Sequence, residues 1–457
     1  MEVVFLSNRR FRASIIILIS ILFFIFAFIL IRMKMLIVEY NDLIYPGISI
    51  NEIDLSNLNK EQAMKKVQMS LKDINERRII KVQVEEKSYE TSFEDLKIEE
   101  NLNEIVELAI SYGKKDRFFS KYNYITDGVD RNFKTYITID DESYSKFVQP
   151  IQKEQNKMPI NALIDHDWNG LIITPHELGR SVDVEDLKRS IKETIEATTN
   201  EEELILVSAN FITEYPRIME DDLKQVDSLI STFTTSFPTS GYGRCTNIEI
   251  AAKYIDNIVV MPDEEFSFNK TVGATTSGKG YQYAKGIRNG KFVDEIGGGV
   301  CQVSTTLYNA LLMTGLNITE RTNHSKPISY VPLGRDAMIS YGVSDLKFIN
   351  NYKFPILLEA IVQGKEITFN IYSNKEEKEK KYDVITETTK EIKPKREIIY
   401  DYGLSEGTSF VEQEGKSGYI ISTYRVSYRN GKEEEKIPVG ESIYPGKNTV
   451  IRLGKKQ

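Results

Sequence analysis

Cys301 stands behind three glycines, in the stretch Glu295-Ile-Gly-Gly-Gly-Val-Cys-Gln-Val-Ser-Thr-Thr-Leu-Tyr-Asn-Ala-Leu-Leu. Val303, Leu307 and Leu311 follow it at helical spacing, with Tyr308 and Leu312 broadening the stripe. Gly315 occupies the place of a C-terminal glycine cap. The pattern predicts a helix that begins at about Cys301. Free N–H groups and the dipole at a helix start stabilise a thiolate, which is the nucleophilic form of cysteine. Gly297, Gly298 and Gly299 permit close approach of a substrate and positive φ. Their N–H groups could form a nest for an oxyanion. A thiol nucleophile also needs a base. His324, in Arg321-Thr-Asn-His-Ser-Lys-Pro, is the one histidine in this part of the chain, and Asp336, in Gly334-Arg-Asp-Ala, could orient it. A bland reading stands beside this one: a small buried cysteine and a tight turn. Cys245, in Gly243-Arg-Cys-Thr-Asn, is either inert or a disulfide partner for Cys301, a choice that geometry decides.

Other chemistry has few candidates. The chain has two cysteines and three histidines, His166, His176 and His324. That is too few for a disulfide framework or the usual four-ligand zinc sites. Asp165-His-Asp, with His176 nearby, reads as a solvated turn. Gly273-Ala-Thr-Thr-Ser-Gly-Lys stops short of a phosphate-binding loop, because Gly280 stands where a Mg²⁺-binding hydroxyl is needed. No metal and no cofactor are expected.

The positioning elements follow from pattern and composition. Of 457 residues, 41 % are hydrophobic and 28 % charged, as in folded protein. From Ala13 to Ile31 the chain is uncharged and nearly all Ile, Leu or Phe, long enough to cross most of a bilayer core. Arg9, Arg10 and Arg12 precede it, and Arg32 and Lys34 follow it, which favours a cytoplasmic N-terminus. A cleaved signal peptide is the rival reading, with no small-residue cleavage site to support it. The first 38 residues carry a net +4, leaving the rest at −12, which argues against nucleic acid as a partner.

Beyond the anchor an amphipathic helix is expected over roughly 60–73, with Ser56 or Asn59 as its cap and Ala63, Val67 and Leu71 facing inward. A weak repeat links the stretch from Ser92 with that from Thr174. Each copy reads as strand end, polar break and helix, the second with Leu187, Ile191 and Ile195 on one face. The stretch 375–385 reads as a charged linker. The tail alternates, and Asn430-Gly after Tyr419–Tyr428 is a strong hairpin signal. The expected fold class is α+β. It comprises an anchor (1–38), two α+β modules (39–220), an α+β domain bearing Cys301 (221–374), a linker and a small all-β domain (386–457).

Residues 231–373 resemble a VanW domain over its whole length. The matching stretches are Ser231-Thr-Phe-Thr-Thr, Asn247-Ile, Glu265-Phe-Ser-Phe-Asn, Gly297-Gly-Gly-Val-Cys-Gln-Val-Ser-Thr-Thr-Leu-Tyr-Asn-Ala, Arg321 with His324-Ser, and Tyr330-Val-Pro-Leu-Gly-Arg-Asp-Ala. The sequence departs from the family pattern at Pro262-Asp-Glu, where Pro-Gly-Glu is usual, and at Cys245. Tyr45-Pro-Gly-Ile and the α+β repeat resemble peptidoglycan-binding modules, and the tail is similar to the G-five domain. The resemblance implies, for some members, L,D-transpeptidase activity with the motif cysteine as nucleophile. That cysteine is Cys301, with His324 and Asp336 as partners inferred from chemistry. Gly297, Gly298, Gly299, Gln302, Ser304, Arg321, Tyr330 and Arg335 are the oxyanion or substrate-binding candidates. The expected protein is a single-pass membrane protein whose bulk faces the cell wall and joins peptidoglycan stem peptides through a thioester, giving three-three crosslinks. Two alternatives stay open: a non-enzymatic wall-binding or accessory protein, and a cysteine peptidase or carboxypeptidase acting on stem peptides.

Overall fold

The apolar run becomes part of one long helix, Glu2–Glu39. Phe11–Asp42 is long and apolar enough to cross a membrane, and no part of its most apolar window is buried in protein. The computed structural model describes residues 2–167, 170–199, 201–288, 291–429 and 431–456, with side chains outside 2–10, 167, 287–288 and 291–292. The side chains of Arg9, Arg10 and Asp167, and the whole of Asn430, lie outside the described residues. The chain is α+β throughout, and it divides into two units: 1–159 with 178–215, and 160–177 with 216–457.

The first unit contains two apolar cores. One gathers Ile44, Ile48, Leu55, Val67, Leu71 and Val106. Its helix Lys60–Arg77 starts with a capping box, in which the Asn59 side chain accepts from the Gln62 N–H and the Gln62 side chain accepts from the Asn59 N–H. Ala63, Val67 and Leu71 are its buried residues, as the spacing predicts. The second core gathers Ile80, Val82, Phe93 and Leu96 with Leu187, Ile191 and Ile205. Here the strand Leu204–Ser208 pairs in parallel with Ile79–Val84. Residues of the two sequence repeats therefore share this core, which local pattern alone does not reveal.

The second unit is built on an antiparallel sheet in the order Ser228–Ser236, Glu366–Ser373, Ile356–Gln363, Ile258–Val260. Two helices supply much of its core, Tyr242–Ile255 and Val300–Leu312. Val303, Leu307 and Leu311 are fully buried there; truncating such a leucine to alanine ordinarily costs about 2–5 kcal/mol. The latter helix ends at Leu312, with Met313 rather than a left-handed glycine at its C-cap. Gly315 does not serve as the expected cap. Its N–H donates to the Tyr352 hydroxyl at 2.7 Å, and an added Cβ would lie 2.6 Å from the Tyr382 hydroxyl. Asp263, where glycine is usual in the resembling family, takes φ +63, a conformation that Asp tolerates better than most side chains.

The C-terminal strands belong to this unit too. Residues 375–385 hold the turn Lys375–Glu379 and the start of the strand Lys381–Ile392. That strand pairs with Gly418–Arg429, which pairs with Lys432–Tyr444; Gly431 in the connection has φ +76. A second sheet has the order Arg396–Asp401, Thr449–Gly454, Ser409–Gln413. Val384 and Val439 pack against the core that surrounds the Cys301 helix.

Candidate active site

The helix Val300–Leu312 carries Cys301 in its first turn, immediately after Gly299. Gly297 and Gly299 adopt φ +84 and +114, the left-handed region where a side chain is strained. A Cβ on Gly299 would lie 2.8 Å from Arg244 Nη1. We expect Gly299→Ala to destabilise the protein by about 1–3 kcal/mol in urea unfolding, from backbone strain and displacement of Arg244.

The polar face of the same helix holds the loop that carries Asp336. Ser304 Oγ donates to Ala337 O at 2.7 Å, and the Ala337 N–H donates to Thr305 Oγ1 at 3.0 Å. Asn309 Nδ2 donates to Arg335 O, and Arg335 Nε returns a bond to Asn309 Oδ1, each at 2.7 Å. These buried polar groups are satisfied by one another. Gln302, also buried, donates to Thr235 Oγ1 at 2.9 Å and to Ser236 O at 3.2 Å, and accepts from Arg244 Nη2 at 2.7 Å. Ser304, Gln302 and Arg335 thus tie elements together in this structure.

Cys301, His324 and Asp336 come together although they span 36 positions. Asp336 Oδ2 accepts from the His324 backbone N–H at 2.6 Å and lies 2.7 Å from His324 Nδ1. With Nδ1 on the carboxylate, Nε2 is the ring nitrogen left to face Cys301, which is near enough to act on the His324 pKa. Cys301 Sγ lies 3.6 Å from Ile339 O as well. His324 is 5 % exposed and Asp336 1 %. Burial pulls the His324 pKa down, but hydrogen bonds to Asp336 and Cys301 outweigh it and push it up to about 9. Burial likewise raises Asp336, yet the bonds from His324 and Tyr444, with the charge of Arg321, hold it below the ordinary carboxylate range.

The remaining candidates distribute around this dyad. Arg321 donates to the Asp336 carbonyl through Nε at 2.6 Å and to Asp336 Oδ1 through Nη2 at 3.2 Å, so it braces the carboxylate. The Tyr330 phenol is raised by burial and next by the nearby Cys301. The Gly297 N–H is already committed to Gln282 O and the Val300 N–H to Gly297 O. Gly298 packs with its Cα side against Ala284 O, where a Cβ would come within 2.5 Å. Both cysteines are free thiols, and Cys245 donates to Ser240 O at 3.7 Å.

Residues outside the sequence reading complete the site. Tyr444 donates from its hydroxyl to Asp336 Oδ1 at 2.5 Å, Ser442 accepts from Arg321 Nη1 at 2.7 Å, and Arg244 borders Gly299. Arg244 Nη1 is buried without a hydrogen-bond partner. No short motif marks these positions, because their contacts cross the chain by up to 121 residues. His166 and His176 lie elsewhere. His166 pairs with Glu359 at 3.3 Å, and His176 Nδ1 accepts the Glu220 N–H at 3.2 Å. Among the described residues no three His, Cys, Asp or Glu side chains converge to hold a metal. Lys279 bends back to Val272 O at 2.9 Å.

A family model described as "VanW like protein" matches residues 243–372, one described as "Putative peptidoglycan binding domain" matches 89–202, and the G5 domain matches 383–456. Uncharacterized protein YoaR of Bacillus subtilis is 35 % identical over 237 residues, covering 52 % of this chain and 76 % of YoaR. Vancomycin B-type resistance protein VanW of Enterococcus faecalis is 30 % identical over 135 residues, covering 28 % of this chain and 49 % of that protein. Among solved structures, the IgA1 protease G5 domain is 30 % identical, covering 17 % of this chain and 93 % of its own, with a TM-score of 0.16. The span shared with YoaR and the VanW match across the Cys301 site show that the chain belongs to the VanW/YoaR family.

Proposed function

We propose that this protein is a membrane-anchored peptidoglycan L,D-transpeptidase that works through a Cys301 thioester. The observation that carries the reading is the linkage of Cys301 to a buried histidine whose other nitrogen is held by a carboxylate. The peptidoglycan-binding and G5 matches support association with the cell wall, and the N-terminal apolar helix supports an anchor that leaves the bulk outside.

In the first half-reaction the Cys301 thiolate attacks the carbonyl carbon of the third stem residue. The C–N bond to the terminal D-alanine breaks, and His324, held as imidazolium, gives its proton to the departing amine. In the second, a side-chain amine of a neighbouring stem attacks the thioester. Neutral His324 takes the amine's proton, the C–S bond breaks and an amide forms, which regenerates thiolate and imidazolium. Asp336 favours the charged ring at each return.

The test is to incubate the full chain in detergent micelles with disaccharide-tetrapeptide and follow products by mass spectrometry. Crosslinked dimer with release of D-alanine is the expected result. D-alanine released without dimer would mark water as the acceptor and a carboxypeptidase. Neither product, at any pH from 5 to 9, would leave the chain as a wall-binding protein.

A further inference from the structure

We propose that the C-terminal β domain is part of the catalytic unit, with Tyr444 as a positioning residue that fixes the Asp336 carboxylate behind His324. The inference rests on the reading of Cys301, His324 and Asp336 as the reacting set, and it goes beyond it, since the G5 match assigns no role in chemistry to the tail.

The contacts are specific and buried. Tyr444 ends the strand Lys432–Tyr444 and is 1 % exposed. Its hydroxyl donates to Asp336 Oδ1 and accepts the Gly334 N–H at 2.8 Å, so one oxygen ties the carboxylate to the backbone two residues before it. Thr423, on the neighbouring strand Gly418–Arg429, donates to Gly334 O at 3.1 Å. Ser442 takes Arg321 Nη1, and Asn323, next to His324, donates to Ile443 O at 2.9 Å. The segments carrying His324 and Asp336 are therefore held by two strands from outside the VanW match.

The physical consequence follows from carboxylate geometry. Asp336 Oδ2 serves His324, while Oδ1 is fixed by Tyr444 and, at longer range, by Arg321. Without the phenol, the short bond to Oδ1 is lost, Arg321 at 3.2 Å is left as its partner, and the carboxylate can turn further about χ2, a broad torsion. The bond to His324 then weakens and the imidazolium is less favoured. Among the described residues, the charged and titratable groups around His324 and Asp336 are Cys301 and Tyr308 from one helix, Arg244 from the helix Tyr242–Ile255, Arg321 and Tyr330 from the loops, and Tyr444 from the β domain.

The experiment follows iodoacetamide alkylation of Cys301 against pH, in the full chain with Cys245→Ser to leave one thiol. Tyr444→Phe should slow alkylation at pH 7 severalfold and move the ascending limb to higher pH, because a less favoured imidazolium supports the thiolate less. Ser442→Ala should move it in the same direction by less. Tyr352→Phe removes a buried hydroxyl at the far end of the same helix, where it accepts only the Gly315 N–H among backbone donors. It should lower the melting temperature and leave the limb in place. A limb unmoved or moved downward in Tyr444→Phe overturns the proposal. If that variant does not fold, an unmoved limb in Ser442→Ala overturns it. Rapid, pH-dependent labelling without any crosslinked or hydrolysed product would sink the transpeptidase reading and leave this proposal standing.

Discussion

If the proposed mechanism holds, Cys301→Ala should lose thioester formation and crosslinking together, while the protein remains folded. The first expectation follows from the chemistry: alanine offers no nucleophile, and no second thiol stands in its place, since Cys245 is a separate free thiol bonded to Ser240 O. The second follows from packing. Cys301 is only partly buried and contributes one weak hydrogen bond to Ile339 O, so losing its sulfur should cost about 1 kcal/mol or less, well below a large core truncation. Intact-protein mass spectrometry after incubation with disaccharide-tetrapeptide should show the acylated form with wild-type protein and with Cys245→Ser, and not with Cys301→Ala. Turnover should fall to the uncatalysed level. Full activity in Cys301→Ala would refute the proposed mechanism outright.

The second large effect is expected at Asp336. Asp336→Asn replaces the acceptor at Oδ2 that holds both the His324 N–H and Nδ1. We expect kcat/KM for the donor peptide to fall by roughly 10²–10⁴-fold, the range associated with loss of general acid–base function. The pH profile gives the diagnostic sign. In the proposed mechanism acylation requires His324 as imidazolium, so activity in the wild type should decline as pH rises through about 9. Without the carboxylate, the Asp336 hydrogen bond and charge no longer offset the burial that lowers His324, so the descending limb should move to lower pH. The limb staying near pH 9 in Asp336→Asn would mean that another group donates the proton. The same shift is linked to stability: because His324 is raised on folding, its contribution is complete below about 6.5 and is lost as pH rises through about 9. Thermal unfolding of the wild type between pH 6 and 10 should follow that fall, and Asp336→Asn should lack it.

What could be read along the chain was what depends on nearest neighbours. The apolar run to Ile31, the capped helix Lys60–Arg77, the strand-to-helix turn at Gly297–Cys301 and the tail hairpin are all set by local spacing and by residues with strong conformational preferences. The identity of Cys301, His324 and Asp336 as candidates was legible for a similar reason: thiols and imidazoles are so scarce here that few combinations existed. Gly315 failed as a cap because its surroundings are set by Tyr352 and Tyr382, which the local helix pattern does not contain.

Tertiary structure decided how those candidates are held. Gln302, Ser304 and Arg335 are oxyanion or substrate-binding candidates in sequence; in the folded chain each spends polar groups on joining strand, helix and loop. Arg244 comes against Gly299 from a different helix, and Tyr444 reaches Asp336 from a strand 108 positions away. A hydrogen bond between distant segments leaves no periodicity behind, because it constrains two side chains and not the residues around them. The sequence therefore determined which groups could react; only the folded chain determined which carboxylate oxygen faces which donor, and so why His324 keeps its proton.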